Sequence, residues 1–223
     1  MLLQIPNVLQ PNEVQALIQA SALAEFVDGA LTAGPQAKRV KHNLQMRQDI
    51  QAAQELGGVV LAAVARNLLF QSATLPRRLS PPTFNRYGEG MQYGNHVDNA
   101  VMGHPNPMRA DVAATIFLSD PASYDGGELV IEDTYGFHAV KLPPGNMILY
   151  PATSIHRVEP VRRGVRNAVV LWVQSSVSDA ARRRLLFDMD MSIQRLNAAN
   201  ADNPEVGNLT ACYSNLLRMW AKL

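Results

Sequence analysis

The stretch from Asn85 to Ala100, NRYGEGMQYGNHVDNA, lies where the chain changes from helical to strand-like patterning. Its first residues belong to a predicted strand, Thr83–Tyr87, and three glycines link this strand to a second short strand around His96. Asp98 follows His96 with one residue between them. Because alternate residues of an extended strand project to the same side, the imidazole and the carboxylate are predicted to point the same way.

Short strand-like segments, separated by turn residues, continue as far as Gln174. The predicted strands are Thr83–Tyr87, a short one around His96, Asp111–Leu118, Glu128–Glu132, Phe137–Leu142, Asn146–Tyr150, His156–Val161 and Val165–Gln174. Eight short strands at close spacing are typical of a β-sandwich or a β-barrel.

Helical patterning flanks the strands on both sides. Before them we predict a helix over Pro11–Ala24 and a second over Arg47–Leu69, which Gly57–Gly58 is expected to bend. After them we predict helices over Asp179–Ala198 and Leu209–Leu223, joined by a polar linker. Amphipathic helices beside a strand-rich segment indicate an α+β protein with helices packed on one face of a sheet.

The composition limits the classes of partner. The chain has 223 residues, enough for one large domain with a sizeable core. Its 20 basic and 19 acidic residues give a net charge of +1, so electrostatics provide no case for nucleic acid or an anionic membrane as the main partner.

The cysteine content and the apolar runs bear on the compartment. A lone cysteine, Cys212, cannot form an internal disulfide or a multi-thiolate zinc site, so a bound metal is expected to have nitrogen and oxygen ligands. We see no signal peptide, and apolar runs such as Gly57–Ala65 are too short to span a bilayer. A cytoplasmic protein is therefore the prediction.

Two histidines and one aspartate form the candidate metal site. His96 and Asp98 come from one segment, and His156 lies far downstream at the start of another predicted strand. Two imidazoles and a carboxylate are the ligand set of a non-haem Fe(II) centre, which leaves coordination positions open for a chelating co-substrate and O₂. The alternative is a surface histidine beside a turn aspartate.

Arg166 lies ten residues after His156, just ahead of the apolar run Ala168–Val173. A charge entering a buried strand needs a partner, and a guanidinium can hold a carboxylate through two parallel hydrogen bonds. We expect the strand of Arg166 to pair with that of His156 across a tight turn at Arg162–Gly164, within one sheet. The alternative is a solvated arginine at a strand end.

These residues resemble those of a known family. The pattern HVD, a later histidine and an arginine ten residues on resembles the Fe(II)- and 2-oxoglutarate-dependent dioxygenases, and RYGEGMQYGNHVDN is similar to their prolyl and lysyl hydroxylase branch. The resemblance is closer to the bacterial PKHD-type hydroxylases, the iron-uptake-associated PiuC-like proteins. It is carried by FVDGALTAGPQAKRVKHN, RADVAATIFLSDPASYDGGELVIED, LFDMDMSIQRL and LTACYSNLLRMWAKL.

The resemblance implies a double-stranded β-helix, or jelly roll, with flanking helices. It divides the chain into a dioxygenase domain at 1–177, with helices within 11–69 and the jelly roll within 77–175, and a C-terminal helical extension at 178–223. It also implies roles for site residues: Fe(II) would be bound by His96, Asp98 and His156, and 2-oxoglutarate by Arg166, Tyr87 and Tyr93. For the two tyrosines, packing as strand aromatics is an equal alternative.

The activity that the resemblance implies is hydroxylation of an unidentified substrate, with release of succinate and CO₂. Related halogenases replace the carboxylate ligand with a small residue, so an intact Asp98 favours hydroxylation. Iron uptake or homeostasis is the implied setting, and L-ascorbate is left open as an accessory cofactor. The partners would be O₂ and a small-molecule or peptidyl substrate, with homo-oligomerisation left open.

The substrate pocket is the least determined part of the site. The segment Asn99–Arg109 follows the metal ligands as a long loop, and such loops often cover substrates. Its candidate substrate residues are Asn99, Met108 and Arg109. Trp172 is a further candidate, because it lies on the same side of an ideal strand as Arg166.

Two other functions remain open. One is a cupin-like metal sensor or storage protein without turnover, against which Arg166 argues, because such a protein needs no dicarboxylate anchor. The other is an interaction protein that uses the two C-terminal helices, whose apolar faces could also join the core or form a homodimer seam. The remaining histidines, His42, His104 and His138, are expected not to be metal ligands.

Overall fold

The computed structural model describes residues 1–35, 37–103, 105–200 and 202–222. Its helices are α1 (Pro11–Leu23), α2 (Gln51–Arg66), α3 (Leu68–Thr74), α4 (Ala180–Ala199) and α5 (Pro204–Trp220). Its strands are β1 (Leu3–Ile5), β2 (Phe26–Asp28), β3 (Lys41–His42), β4 (Leu44–Met46), β5 (Pro76–Leu79), β6 (Thr83–Tyr87), β7 (Gln92–His96), β8 (Val101–Met102), β9 (Met108–Arg109), β10 (Val112–Phe117), β11 (Asp125–Gly126), β12 (Leu129–Asp133), β13 (Gly136–Val140), β14 (Met147–Pro151), β15 (His156–Val158), β16 (Val161–Arg163) and β17 (Arg166–Ser175).

The strands form two main antiparallel sheets, as a sandwich requires. The large sheet has the order β1-β14-β10-β17-β6-β4-β2, and β5 also pairs with β17. The small sheet has the order β13-β12-β15-β7-β3. Two short ladders, β8 with β9 and β11 with β16, lie outside these sheets.

Strand β10 shows why the large sheet is central. All six of its residues, VAATIF, are buried. Alternate side chains point to opposite faces, so Ala114 and Ile116 join the core cluster under the helices, whereas Ala113 and Phe117 join the cluster between the sheets. A strand that is covered on both faces needs such a continuous apolar run.

The N-terminal helices cover the outer face of the large sheet. Leu17 of α1, Val60 of α2 and Phe70 of α3 are fully buried in the same cluster as the outer side chains of β17. The predicted helical segment Arg47–Leu69 is broken, but the expected position of the bend was wrong. It lies at Asn67, where the axes of α2 and α3 differ by 82°.

A cap explains the position of this bend. The Asn67 side chain accepts a hydrogen bond from the backbone N–H of Phe70, which starts a new helix. Gly57 and Gly58 lie inside α2, because a glycine weakens a helix without removing its hydrogen bonds. At Gly57 the helix passes close to Pro82, where a Cβ would lie 3.5 Å from the proline ring.

No single helix in the described ranges is both long and apolar enough to cross a membrane. Helices α2 and α3 meet the length and composition criteria only when they are taken together, despite the sharp bend between them.

Helix α4 packs against α3, and α5 packs against α4. Leu186 and Phe187 of α4 are buried, and the buried guanidinium of Arg183 donates a 2.7 Å hydrogen bond to the Val177 carbonyl. After α5, the backbone N–H of Lys222 donates a 2.8 Å hydrogen bond to the Ser176 carbonyl. The two ends of the segment that contains α4 and α5 are therefore adjacent in space.

One predicted pairing was wrong. The strand of Arg166, β17, pairs with β10, β6 and β5 of the large sheet, whereas the strand of His156, β15, pairs with β12 and β7 of the small sheet. Between them, Val161–Arg163 forms its own ladder with β11. Gly164, at a φ of +80°, then turns the chain toward the other sheet. The two residues consequently lie on opposite sheets.

Leu171→Ala tests the central role of β17. Leu171 is 0% exposed, so truncation should lower the free energy of unfolding by about 2–5 kcal/mol through lost burial and a residual cavity. Leu23→Ala is the control, because this side chain is 92% exposed and should change stability by less than about 0.5 kcal/mol. Urea unfolding followed by circular dichroism measures both, and equal effects would contradict the assignment of β17 to the core.

Candidate active site

The three predicted metal ligands lie together at one end of the small sheet. His96 ends β7 and is paired directly with His156 of β15, while Asp98 lies two residues beyond β7. One ligand atom from each residue lies within 4.8 Å of the other two, and the 3.8 Å separation of His156 Nε2 from Asp98 Oδ1 falls within that limit. The three residues could therefore hold one metal ion.

Backbone carbonyls fix the orientation of both imidazoles. Nδ1 of His96 lies 2.9 Å from the Gly94 carbonyl oxygen, and Nδ1 of His156 lies 3.0 Å from that of Ser154. A carbonyl oxygen only accepts hydrogen bonds, so each Nδ1 carries the proton. Each Nε2 is thereby left as a lone-pair donor toward the cluster, which is the usual arrangement of metal-binding histidines.

The charge state of the cluster also suits a cation. Burial, followed by repulsion from His156, lowers the pKa of His96 to about 3, so its imidazole is neutral at physiological pH. Burial raises the pKa of Asp98, whose side chain is 7% exposed. Oδ2 of Asp98 is buried and has no hydrogen-bond partner among the described residues. A buried carboxylate beside the neutral imidazole of His96 favours a positively charged ligand, and a divalent cation would supply that charge.

The cluster faces a cavity of about 350 Å³ between the two sheets. Arg166 projects into this cavity from the large sheet and is 2% exposed. Its guanidinium carbon lies 5.2 Å from the ring centroid of Tyr87 and 5.3 Å from that of Phe117. Its Nε has no hydrogen-bond partner among the described residues, and no carboxylate there lies within ion-pair distance.

The sequence matches two family profiles. The 2OG-Fe(II) oxygenase superfamily matches residues 82–174, and the PKHD-type hydroxylase C-terminal domain matches residues 179–222. A PKHD-type hydroxylase of Xanthomonas euvesicatoria is 52% identical over 226 aligned positions, with 99% of each chain covered. One from Paraburkholderia xenovorans is 54% identical over 226 positions, with both chains fully covered.

The chain belongs to the PKHD-type hydroxylase family. It is an Fe(II)- and 2-oxoglutarate-dependent hydroxylase, and the predicted enzyme class and the predicted dependence on Fe(II) and 2-oxoglutarate are confirmed. The His-Asp-His cluster fits Fe(II), since it offers two imidazole nitrogens and a carboxylate.

Solved structures confirm the jelly-roll fold. A 2OG-Fe(II) oxygenase family protein from Burkholderia pseudomallei superposes with a TM-score of 0.61 at 17% identity, covering 78% of this chain and 85% of the other. A prolyl hydroxylase from Trichoplax adhaerens superposes with a TM-score of 0.57 at 17% identity, covering 83% and 86%. At these identities the likeness concerns the fold alone.

The two tyrosines predicted to bind the co-substrate both line the cavity of this PKHD-type hydroxylase. Tyr87 lies directly opposite Arg166 in the ladder of β6 and β17, and burial raises its pKa to about 12. Tyr93 is stacked on His96, with ring centroids 3.6 Å apart and planes 13° apart. Burial raises the pKa of Tyr93 as well, so both hydroxyls keep their protons at neutral pH and can donate hydrogen bonds.

Sequence reasoning missed Tyr124, which lies in a segment interpreted only as a turn, DPASYDGG. Its side chain is buried near Arg166 and does not itself line the cavity. Its hydroxyl has no partner of hydrogen-bonding geometry among the described residues. Burial raises its pKa, and the nearby charge of Arg166 lowers it. An aromatic residue within an otherwise small and polar turn was the available signal.

The candidate substrate residues separate into two groups. Asn99 and Trp172 line the cavity, and Trp172 lies beside the Asp98 carboxylate, where its indole N–H favours the ionised form. Met108 and Arg109 do not line it, contrary to the expectation from sequence. Met108 is buried in the hairpin of β8 and β9, and the guanidinium of Arg109 binds Asp111 at 2.6 Å.

The remaining histidines are not part of the cluster among the described residues. His42 is exposed on β3, and His138 lies 2.9 Å from Asp133. His104 lies outside the described residues.

Gly127→Ala tests whether the backbone near Arg166 shapes the site. A Cβ at Gly127 would lie 3.1 Å from Cδ of Arg166 and 3.1 Å from Cε2 of Tyr124, at a φ of +66°. The variant should lose about 1–3 kcal/mol of stability from backbone strain and should also bind 2-oxoglutarate less tightly.

Gly90→Ala is the matched control, because Gly90 has a φ of +77° and a Cβ added there would meet no described atom within 4 Å. It should share the loss of stability and keep its affinity for 2-oxoglutarate. Thermal unfolding and co-substrate titration of the iron-loaded enzymes distinguish the two effects. Equal affinities in the two variants would contradict the contact argument.

Proposed function

We propose that His96, Asp98 and His156 hold Fe(II) and that Arg166 binds the distal carboxylate of 2-oxoglutarate in the same cavity. One observation carries this assignment: a buried guanidinium, without a carboxylate partner in the described residues, faces the cluster from the opposite sheet. Leaving such a charge unpaired is costly. A dicarboxylate would pair with it at one end and reach the metal ligands with the other.

The surroundings of Arg166 suit a carboxylate. Tyr87 and Phe117 flank the guanidinium and shield it from water, which strengthens its attraction for an anion. The hydroxyl of Tyr124, which lacks a partner in the described ranges, is a further donor beside it. We assign Tyr124 with Arg166 to the distal carboxylate, and Tyr87 to hydrogen bonding of the co-substrate.

Local contacts within the chain orient the metal ligands. The carbonyls of Gly94 and Ser154 hold the two imidazoles in the tautomer that presents Nε2, and the stacked ring of Tyr93 restrains the plane of His96. Fe(II), when bound, supplies O₂ activation coupled to oxidative decarboxylation of 2-oxoglutarate to succinate and CO₂, with hydroxylation of a substrate C–H bond. The chain contributes orientation and exclusion of water.

The substrate enters, in this proposal, on the side lined by Asn99 and Trp172. A small molecule and a peptidyl side chain both fit the family. A role in iron uptake or homeostasis and an accessory function for L-ascorbate rest on family kinship alone, and a cytoplasmic location stays a prediction from the sequence. A cupin-like metal sensor is the second candidate function, and the buried guanidinium of Arg166 disfavours it.

Anaerobic titration of the metal-free protein with Fe(II) and then 2-oxoglutarate tests the proposal. The parent should develop the visible charge-transfer band of the chelate. Arg166→Ala should weaken 2-oxoglutarate binding by roughly a hundredfold, since it removes charge-assisted hydrogen bonds worth about 3 kcal/mol together. His156→Ala should abolish the band, because a metal ligand is lost.

Arg163→Ala is the control for the arginine variant. Arg163 is exposed on β16 and does not line the cavity, so its removal should leave the titration as in the parent. Iron binding without any chelate band in the parent would refute the co-substrate site and favour the metal sensor.

Tyr124→Phe tests the residue that sequence analysis missed. The variant removes one hydroxyl and keeps the ring, so 2-oxoglutarate affinity should fall by about tenfold or more, as expected for one hydrogen bond to a charged group. Tyr135→Phe is the control, since Tyr135 is 94% exposed. An unchanged affinity in Tyr124→Phe would exclude Tyr124 from the co-substrate site.

A further inference from the structure

A lysine from an edge strand reaches the same cavity from the side opposite Arg166. Lys41 lies on β3, at the edge of the small sheet, and its Cα is paired with that of Tyr93 on β7. Directly paired residues of an antiparallel ladder project to the same face. The Lys41 ammonium accordingly lies 5.2 Å from the ring centroid of Tyr93, the ring that stacks on His96.

A hydrogen-bond chain holds the Lys41 ammonium in place. Nζ donates to the hydroxyl of Thr32 at 3.3 Å, and this hydroxyl donates to the side-chain oxygen of Gln45. The Gln45 amide then donates to Asn85 at 2.8 Å. In each of these hydrogen bonds the donor is the group nearer to the ammonium, and every acceptor is a neutral side chain. Two of the three N–H donors of Lys41 therefore have no hydrogen-bond partner among the described residues, and Lys41 lines the cavity.

The side chains that line the cavity leave one positive charge without a partner when Fe(II) and 2-oxoglutarate are assigned to their ligands. The described lining residues include two cations, Lys41 and Arg166, and one carboxylate, Asp98. The proposed function assigns Asp98 to the metal and Arg166 to the co-substrate. Lys41 then remains as the charge that faces the rest of the cavity.

The carboxylates near Lys41 do not neutralise it. No carboxylate in the described ranges lies within 4.0 Å of its ammonium. Asp28 is close enough to raise the pKa of Lys41 by charge attraction, and it is not one of the three metal-cluster residues. Its carboxylate accepts a 2.9 Å hydrogen bond from the backbone N–H of Ala30 and does not line the cavity. Burial lowers the pKa of Lys41 to about 8, so the ammonium is still largely charged at pH 7.

We infer that the substrate carries an anionic group, a carboxylate in the simplest case, which pairs with Lys41 while the C–H bond to be hydroxylated faces the metal cluster. This inference rests on the proposed function, because it starts from the charge left over after iron and 2-oxoglutarate are placed. It names a substrate class and disfavours amines, such as a lysyl side chain, whose charge would be repelled by Lys41.

A positioning role for Lys41 is the competing explanation. Its contact with the Tyr93 ring could restrain Tyr93 and, through stacking, the plane of His96. That role would affect formation of the iron and 2-oxoglutarate chelate and would be indifferent to the charge of a third ligand. Charge selectivity toward probe compounds separates the two roles.

The test uses matched probes on the iron-loaded enzyme with saturating 2-oxoglutarate, without oxygen. Two scaffolds each carry a carboxylate, a carboxamide or an amine: butanoate, butanamide and butylamine, and cyclopentanecarboxylate, cyclopentanecarboxamide and cyclopentylmethylamine. Perturbation of the chelate band reports occupancy of the substrate side. In the parent, the carboxylates should bind about tenfold more tightly than the carboxamides, as expected for one charge-assisted contact, and the amines should bind weakest.

Three lysine variants complete the experiment. Lys41→Gln should remove the preference for carboxylates, and Lys41→Arg should keep it. Lys38→Gln is the matched control. Lys38 lies three residues from Lys41 and does not line the cavity, and its substitution removes the same charge from the chain. It should retain the preference of the parent.

The failures of the two proposals are distinguishable. Absence of the chelate band in the parent refutes the proposed function itself. A parent that forms the band, yet binds carboxamides or amines as well as carboxylates, or no carboxylate up to its solubility limit, refutes only the anionic substrate. A carboxylate preference that survives in Lys41→Gln also refutes it, since the preference would then not depend on Lys41.

Discussion

A buried guanidinium, with no carboxylate beside it among the described residues, is the constraint around which this site is arranged. Arg166 begins the central strand β17, and Tyr87 and Phe117 face it as walls from the neighbouring strands β6 and β10. Gly127 packs against Arg166, and a Cβ added at Gly127 would lie only 3.1 Å from Cδ of the arginine. The two rings keep water away from a charge that needs an anion. Among the described residues the chain supplies no anion for Arg166, and a carboxylate of the co-substrate would pair with it.

The metal cluster and the arginine belong to different sheets, so the site depends on how the sheets face each other. His96 and His156 are adjacent in the small sheet, and their relative position is fixed locally by strand pairing. The distance from them to Arg166 is set by the packed residues between the sheets, including Phe117 and Tyr150. A change in that core would alter the span available to a dicarboxylate without touching any ligand.

The sequence alone predicts the parts of the site that depend on local pattern. The spacing of His96 and Asp98 and the apolar run after Arg166 locate the ligands, and strands such as Thr83–Tyr87 are predicted with correct bounds. Contributions from distant segments are harder to predict. Lys41 lies in a basic stretch whose composition is typical of a solvated surface, and only its pairing with Tyr93 places it at the cavity. The pairing partners of β17 and the cap at Asn67 likewise depend on tertiary contacts.

The hydrogen bond between the two ends of the C-terminal segment has a consequence for the end of β17. The backbone N–H of Lys222, after α5, donates to the carbonyl of Ser176, the residue that follows β17. Helices α4 and α5 lie between these two residues, and Leu186 and Phe187 of α4 are buried. Local unfolding of either helix would therefore break this bond and loosen the end of the strand that begins with Arg166, so the stability of the C-terminal segment and that of the active-site strand are coupled.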